Sequence, residues 1–366
     1  MFKEPAADNL RIGIIGLGGI ATRSHLPALL ARPDVTVQAG AEIDAYQAER
    51  TQKRFGIPKV YSAYQEMLEK EHLDAIYVCL PNALHHQAAS AALAHNLHVY
   101  CEKPMGLSAQ EAGDLAAQAE RAGLVLLPGY YLRFHEHFVR ARQLLKERRL
   151  GKILQVQASA VFSGPYRGWD PKSDWYLDPR SGGVIYDWGS HLVDLLEYIT
   201  DLDIETVSAV GAASLPGIAL IDNIAVAFHA RKGIVGTINL AWGTRGNILM
   251  LQIHGTAGSL LVSDNYYEHR TSQGGGLNKL GTLLDNAREL LAHKAGAVIR
   301  RTSSDVTHPR ATQCFIEAIQ GKAQVGAYKW DAVRVHHVLR AIAASIEQGS
   351  PIVNAAFSVG TSREET

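Results

Sequence analysis

Apolar runs of strand length alternate with helix-like segments through the first third of the chain. The runs are Ile12–Ile15, Val35–Ala41, Asp74–Leu80, Leu97–Cys101 and Leu124–Pro128. Continuous apolar runs of about four to eight residues are typical of strands buried on both faces of a sheet. Strands that alternate with helices imply right-handed crossovers and parallel pairing. The pattern therefore predicts an α/β Rossmann domain with a doubly wound parallel sheet over residues 1–129.

The pattern changes after residue 129. A helix is predicted over Tyr130–Arg149, and long strand-like segments joined by hairpin turns follow. The predicted strands are Ile153–Phe162, Thr206–Ala213, Ile224–Arg231, Ile234–Leu240, Ile248–His254 and Ser259–Ser263. Two more helices are predicted over Pro309–Gln320 and Trp330–Gln348. Residues 130–366 are expected to form a second, α+β domain with a large, mainly antiparallel open sheet. Residues 270–305 depart from this pattern and are expected to be a subunit contact, a lid or a mobile insertion.

Composition limits the class of protein. The 366 residues are 47% hydrophobic and 20% charged, with a formal net charge of 0, which is typical of a globular protein with two domains. The chain has no excess of basic residues, so its composition does not indicate a nucleic acid or a membrane surface as a partner. The N-terminus has no apolar signal segment, so a cytoplasmic location is expected. Cys79, Cys101 and Cys314 are far apart in sequence and are predicted to be reduced thiols.

A glycine-dense turn, Gly16-Leu17-Gly18-Gly19-Ile20-Ala21, follows the first apolar run, and Glu42 follows the second. Strand, glycine turn, helix, strand and acid is the order that a dinucleotide site requires. Gly16 allows a tight turn, Gly18 lets a pyrophosphate approach the backbone, and Ala21 lets the helix pack closely. The helix N-terminus offers N–H groups to phosphates, and Glu42 can accept hydrogen bonds from both hydroxyls of an adenosine ribose. An ordinary tight turn is the alternative.

Polar residues also follow two later strands of the predicted sheet. Pro81-Asn82 with His85 follows one of them, and Glu102-Lys103-Pro104 follows the next. The carboxyl ends of parallel strands line one crevice, where ligands bind in such sheets. A lysine held there beside a nicotinamide can polarise a hydroxyl or carbonyl oxygen of a substrate. A solvated surface lysine is the alternative for Lys103.

Asp187 and His191 lie four residues apart in a predicted helix that ends near Thr200. This spacing places them on one helix face. An imidazole poised by a carboxylate can give or take a proton near neutral pH. An Asp–His surface pair is one alternative. A metal site with Asp194 as a third ligand is another, but nothing else in the chain completes a metal set, so no metal is predicted.

Together these motifs resemble the glucose–fructose oxidoreductase / inositol dehydrogenase / MocA family over nearly the whole chain. The resemblance rests on the glycine turn and on five further motifs: Pro81-Asn82-x-x-His85, Glu102-Lys103-Pro104, Arg133-Phe134, Ser181-Gly182-Gly183 and Asp187-x-Gly189-x-His191. It implies an enzyme that moves a hydride between a nicotinamide cofactor and a secondary hydroxyl or ketone of a sugar, sugar derivative or cyclitol. By resemblance, His191 takes the hydroxyl proton, Lys103 stabilises the developing alkoxide, and Asp187 holds the substrate or orients the imidazole.

Site residues follow from the turn, the strand ends and the resemblance. The expected cofactor-binding residues are Gly16, Gly18, Gly19, Ile20, Glu42, Leu80, Pro81, Asn82, His85, Glu102 and Lys103. The expected substrate-binding residues are Arg133, Trp169, Tyr176, Asp187 and His191, because aromatic faces suit a sugar ring. Glu42 is followed by Ile43 rather than by arginine, which favours NAD over NADP, since a 2′-phosphate would meet a carboxylate and no adjacent cation.

Two other functions fit parts of this pattern. One is a glycosidase that uses bound NAD for transient oxidation, and the other is a non-catalytic sensor that binds a nucleotide. Intact Lys103, Asp187 and His191 disfavour the sensor. The open face of the second sheet needs cover, so a homodimer or homotetramer through that sheet is expected.

Overall fold

The computed structural model describes residues 9–164, 174–214, 220–271 and 306–356. Within these ranges the chain divides into two compact units. The first unit consists of residues 9–135, 174–181 and 306–333, and the second consists of residues 136–164, 182–214, 220–271 and 334–356. Two segments that come well after residue 129 in sequence, 174–181 and 306–333, thus belong to the first unit.

The first unit contains a six-stranded sheet. Its strands are β1 (Leu10–Ile15), β2 (Val35–Ala41), β3 (Lys59–Tyr61), β4 (Ala75–Val78), β5 (His98–Cys101) and β6 (Leu126–Pro128). They pair in the order β3-β2-β1-β4-β5-β6, and every pair is parallel. The strand order reverses between β1 and β4, the point at which doubly wound sheets bind ligands. The predicted Rossmann architecture is confirmed.

Helices connect these strands. The α-helices of the first unit are Leu26–Leu30, Ala45–Phe55, Tyr64–Lys70, His85–Ala94, Ala109–Ala122 and Thr307–Ile319, and a π-helical turn, Ala21–His25, precedes the first. Local capping explains several boundaries. Ser108 Oγ accepts a hydrogen bond from the Glu111 N–H at 3.1 Å, and Gly123 ends the same helix with a left-handed φ of +66°. Both caps confirm the sequence prediction.

The helix Thr307–Ile319 completes the core of the first unit. The rings of Tyr77 and Tyr100, on neighbouring strands, stack with centroids 4.6 Å apart. Phe315 meets both edge-on, at 5.5 and 5.7 Å. All three side chains are almost fully buried. A helix from late in the chain therefore supplies apolar side chains to a sheet formed from its beginning.

The predicted helix Tyr130–Arg149 is wrong in its first part. A 3₁₀ turn covers Tyr131–Phe134, His135 is extended with φ −73° and ψ 134°, and the α-helix begins only at Glu136 and ends at Lys146. Tertiary contacts override helix propensity here, because Arg133 is buried and its Nη1 lies 2.9 Å from Asp331 Oδ2.

The second unit contains an eight-stranded sheet. Its strands are β7 (Ile153–Val161), β8 (Ile204–Ala212), β9 (Asn223–Ala230), β10 (Ile234–Ala241), β11 (Ile248–Gly255), β12 (Gly258–Ser263), β13 (Tyr267–Thr271) and β14 (Val353–Asn354). They pair in the order β13-β12-β11-β7-β10-β9-β8-β14, and only β7 and β10 are parallel. The mainly antiparallel sheet is confirmed, although β13 and β14 were not predicted.

This sheet has one open face. Every second residue of β9 is exposed and the others are buried, an alternation that leaves one side of the sheet to solvent. The α-helices Glu136–Lys146 and Ser190–Thr200 also belong to the second unit, and the long helix Tyr328–Glu347 begins in the first unit and ends in the second. The predicted insertion 270–305 lies outside the described residues except for its first two positions.

Membrane-spanning helices and metal-binding clusters are both absent from the described ranges. None of the helices there is long and apolar enough to cross a membrane. No group of three or more His, Cys, Asp and Glu side chains in the same ranges is arranged to hold a metal ion. Cys79, Cys101 and Cys314 are free thiols, as predicted.

Candidate functional site

The glycine turn has the backbone that a dinucleotide site needs. Gly16 has a φ of +88°, and a Cβ there would overlap the backbone carbonyl oxygen of Cys79, so only glycine fits. A Cβ at Gly18 would meet nothing within 4 Å. The two glycines therefore differ in role: Gly16 is required by the fold, whereas Gly18 leaves open space beside the backbone where a pyrophosphate can approach.

Glu42 is fixed against the glycine turn. Its Oε2 accepts a hydrogen bond from the Leu17 N–H at 2.9 Å, and its Oε1 accepts one from the Asp44 N–H at 3.1 Å. Gln47 supports the same turn, since its Nε2 donates to the Leu17 carbonyl oxygen at 2.7 Å. Each carboxylate oxygen can accept a second hydrogen bond, so Glu42 remains able to bind ribose hydroxyls. The residues present fit an adenosine dinucleotide.

The loops that follow β4 and β5 are tied together by His85. Its Nδ1 lies 2.6 Å from the Pro104 carbonyl oxygen, and its Nε2 lies 2.7 Å from the Leu80 carbonyl oxygen. The ring is buried, and burial holds the pKa of His85 below its ordinary value. A neutral ring donates to only one of the two carbonyls. These contacts show that His85 holds the two loops together at this edge of the sheet. Its contact with the cofactor stays a prediction.

Asn82 is likewise anchored. Its Nδ2 donates to the Ser181 carbonyl oxygen at 3.1 Å, and its side chain is buried. This bond links the end of β4 to the segment 174–181 within the first unit. Leu80 and Pro81, beside it, are partly exposed.

Glu102, directly before Lys103, is held at both carboxylate oxygens. Its Oε1 lies 2.7 Å from His25 Nε2, and its Oε2 accepts from the Lys103 N–H at 3.2 Å. Burial pushes the pKa of Glu102 upward, but the hydrogen bond with His25 and electrostatic interactions with His25, His308 and Lys103 outweigh it, so the pKa stays below its usual range. The Lys103 side chain is partly exposed at the carboxyl end of β5, and the Lys103–Pro104 peptide is cis.

His25 is the residue of this region that sequence reasoning missed. It lies in the π-helical turn Ala21–His25 and is 1% exposed. Its ring packs beside Tyr77 and Tyr100, with centroids 5.2 and 5.1 Å away. Its partner Glu102 is 77 positions along the chain, and no local signal in the sequence identifies such a pair.

In the second unit, Asp187 and His191 lie on one continuous helical run. A π-helical turn, Ile185–Gly189, leads directly into the α-helix Ser190–Thr200. Both side chains are buried, at 6% and 3% exposure. The ring centroids of Trp188 and His191 are 5.5 Å apart. π-Helical turns are rare in proteins as a whole. Those that occur are often found at functional sites, because they change the direction of the side chains that follow.

The predicted substrate-binding residues differ in their surroundings. Arg133 is buried in its ion pair with Asp331, and its guanidinium lies 4.6 Å from the Tyr328 ring centroid. These contacts give Arg133 a structural role, and substrate contact stays a prediction. The rings of Trp175 and Tyr176 stack at 3.7 Å in a 3₁₀ turn of the first unit. Trp169 lies outside the described residues.

His336 is a buried histidine close to Tyr186, the residue before Asp187. The two ring centroids are 6.0 Å apart. His336 is fully buried, and within the described ranges neither ring nitrogen has a hydrogen-bond partner. Burial therefore lowers the pKa of His336 to about 4.

This burial predicts a loss of stability in acid. The folded pKa of about 4 lies below the ordinary 6.5, so unfolding takes up a proton between these values. Above pH 6.5 this group does not lower the free energy of unfolding. As pH falls from 6.5 to 4, the free energy of unfolding should decrease by about 3 kcal/mol. Urea unfolding of wild type and His336→Leu at pH 7.5, 6 and 5 measures this. The variant should lose part of the acid dependence, and identical pH slopes would contradict the prediction.

The first sheet and its glycine turn place the chain in the class of dinucleotide-binding proteins. The large, mainly antiparallel sheet of the second unit restricts that class to proteins with such a second domain. Residues 10–130 match the family model described as "Oxidoreductase family, NAD-binding Rossmann fold". Residues 138–261 match the model of the GFO/IDH/MocA C-terminal domain. Together the two models cover about two thirds of the chain. The chain belongs to the Gfo/Idh/MocA family of oxidoreductases, and its first domain is an NAD-binding Rossmann domain.

Curated relatives share part or most of the sequence. D-xylose 1-dehydrogenase (NADP(+)) 2 of Haloferax volcanii is 35% identical over 185 residues, which are 50% of this chain and 55% of that protein. A dTDP-3,4-didehydro-2,6-dideoxy-α-D-glucose 3-reductase of Streptomyces antibioticus is 34% identical over 55% of this chain and 60% of its own. The chain thus matches little more than half the length of these two relatives. D-glucoside 3-dehydrogenase of Escherichia coli is 26% identical over 94% of this chain and 97% of that protein.

A solved structure confirms the fold. The WlbA dehydrogenase of Bordetella pertussis, in complex with NADH and UDP-GlcNAcA, aligns with a TM-score of 0.81. The alignment covers 96% of this chain and 99% of that one, at 20% identity. At this identity the likeness concerns the arrangement of helices and strands.

Proposed function

We propose that this protein is an NAD-dependent oxidoreductase that interconverts a secondary hydroxyl and a ketone on a sugar, sugar derivative or cyclitol. The observation that carries the proposal is Lys103 at the carboxyl end of β5, in the same sheet as the glycine turn, with its backbone N–H bonded to Glu102. Ligands bind at this edge of doubly wound sheets. The names of the relatives, which are dehydrogenases and reductases of sugars, support the substrate class.

The chain's own residues have distinct roles in this reaction. The cofactor, held by the glycine turn and Glu42, supplies a hydride acceptor or donor. His191 takes the proton from the substrate hydroxyl on oxidation and returns it on reduction. Lys103 places a positive charge at the substrate oxygen, where negative charge develops. Asp187 holds a substrate hydroxyl or orients the His191 imidazole.

Glu42 supports a preference for NAD over NADP. Its carboxylate is fixed beside Leu17 and would repel a 2′-phosphate. Glu42→Gln removes the charge and keeps one acceptor oxygen. We expect the ratio of kcat/KM for NAD to that for NADP to fall about tenfold. The exposed Glu69→Gln should leave this ratio unchanged, and a wild type that prefers NADP would refute the assignment.

A substrate panel tests the proposed function. Purified protein is mixed with NAD and inositols, free sugars, glycosides or sugar nucleotides, and NADH formation is followed at its absorbance band. Stoichiometric NADH and a ketone product support the proposal. Release of an aglycone without net NADH would favour a glycosidase that uses NAD transiently. Nucleotide binding without turnover of any member would favour a sensor.

The open face of the second sheet supports a homodimer or homotetramer as the working form. Its exposed positions on β9 include the small residues Ala225 and Ala227, which permit close approach of a flat partner. The proposed location is the cytoplasm, where NAD and reduced thiols coexist. Light scattering measures the mass directly, and a monomer at micromolar concentration would contradict the oligomer.

A further inference from the structure

Arg23 lies against the glycine turn. It is the third residue of the π-helical turn Ala21–His25, and its side chain is exposed. A Cβ placed on Gly19 would lie 2.6 Å from Arg23 Nη2, 2.9 Å from its Cζ and 3.2 Å from its Nη1. The guanidinium therefore covers the backbone at Gly19, one residue from the open space beside Gly18.

The guanidinium has no described partner in this position. Three other arginines of the first unit are held in ion pairs: Arg11 with Asp74, Arg32 with Asp34, and Arg133 with Asp331. Within the ranges that the structure describes, Arg23 makes no hydrogen bond or ion pair. A guanidinium offers five donors and suits the oxygens of a phosphate.

A Cβ at Gly19 would occupy space that the Arg23 guanidinium fills. Gly19 does not have a positive φ, and the atoms closest to an added Cβ belong to the Arg23 side chain rather than to the backbone. Gly16 allows the tight turn, and Gly18 leaves room for a ligand. Gly19 differs from both, because it leaves room for the Arg23 guanidinium. Any side chain there would push the guanidinium away from the turn.

We propose that Arg23 is a binding residue for the diphosphate of the dinucleotide, and that Gly19 is needed to hold its guanidinium there. The proposal rests on the cofactor binding of the proposed function. The diphosphate is the favoured phosphate because the guanidinium adjoins Gly18, where the backbone is open. The acid expected at the adenosine ribose is Glu42, which disfavours a 2′-phosphate.

Binding measurements with Arg23→Gln test the assignment. Affinities for NADH, NADPH and ADP-ribose are measured by calorimetry, and adenosine is measured by displacement of NADH. We expect about tenfold weaker binding of NADH and ADP-ribose, with adenosine unchanged, because only the first two carry a diphosphate. The weakening of NADH binding by salt should also be less steep in the variant. Arg23→Lys should restore part of the affinity.

Two further variants make the test specific. Arg121→Gln removes an exposed arginine at the far end of the helix Ala109–Ala122 and should bind NADH as wild type does. Gly19→Ala should weaken NADH binding when Arg23 is present and have little added effect in Arg23→Gln. Melting temperatures establish that the variants are folded.

Three outcomes would overturn the proposal. Unchanged NADH affinity in Arg23→Gln would refute it while leaving the cofactor assignment intact. Loss of NADPH affinity alone would show that Arg23 binds a 2′-phosphate instead. A wild type that binds no dinucleotide would remove the proposed function itself, and this result is distinct from the other two.

Discussion

Replacing Lys103 by methionine is expected to lower kcat about a thousandfold while leaving the fold and NADH affinity nearly unchanged. Methionine keeps most of the side-chain length and removes the charge. Because that charge is proposed to act on an oxygen that becomes negative in the transition state, its loss should affect the rate more than ground-state binding. Lys103 is only partly buried, so the substitution creates no large cavity. Steady-state kinetics measure kcat, NADH titration measures the cofactor affinity, and the melting temperature shows whether the variant is folded.

A matched control and a double variant sharpen this result. Lys146→Met, on an exposed helix end, should retain wild-type kinetics. If Lys103 and His191 act on the same substrate, Lys103→Met combined with His191→Gln should lose much less than the product of the two single effects. A Lys103→Met enzyme with normal kcat would exclude Lys103 from the chemistry.

Alanine substitutions at Gly16 and Gly18 are expected to fail in different ways. At Gly16 the new Cβ would overlap the Cys79 carbonyl, and φ is +88°, so the free energy of unfolding should fall by about 2–4 kcal/mol. At Gly18 a Cβ meets nothing within 4 Å of the protein, so stability should stay within about 1 kcal/mol of wild type. The same Cβ occupies space proposed for the pyrophosphate, and NADH affinity should fall by about a hundredfold.

Urea unfolding and NADH titration of both variants separate the two effects. The comparison is informative because each variant is the control for the other. Equal losses of stability would show that Gly18 also serves the fold. Unchanged NADH binding in Gly18→Ala would place the pyrophosphate elsewhere.

Local rules explain why much of the first domain could be predicted. The alternation of strands and helices, the cap at Ser108 and the left-handed glycines at Gly56 and Gly123 each depend on a few neighbouring residues. The order of glycine turn and acid around Gly16 and Glu42 is equally local. Such features follow from backbone sterics and hydrophobic periodicity, which a short window of sequence contains.

Features that depend on distant residues were not predictable. The bond between His25 and Glu102 spans 77 positions, and the bond between Arg133 and Asp331 spans 198. The parallel pairing of β7 with β10 depends on the whole sheet rather than on any hairpin. The π-helical turn Ile185–Gly189 also departs from the regular helix expected around Asp187. In each case tertiary contacts outweigh the local preference.

The place of the helix Thr307–Ile319 in the first core bears on how the protein forms during synthesis. Phe315 packs on Tyr77 and Tyr100, which are made more than about 200 residues earlier. Part of the apolar surface of the nascent first sheet therefore stays uncovered until the helix Thr307–Ile319 has left the ribosome. N-terminal domains generally fold first as they emerge, but this one cannot close its core alone. The chain cut after residue 135 should therefore be more sensitive to protease than the full-length protein, because it lacks the helix Thr307–Ile319 that covers this surface.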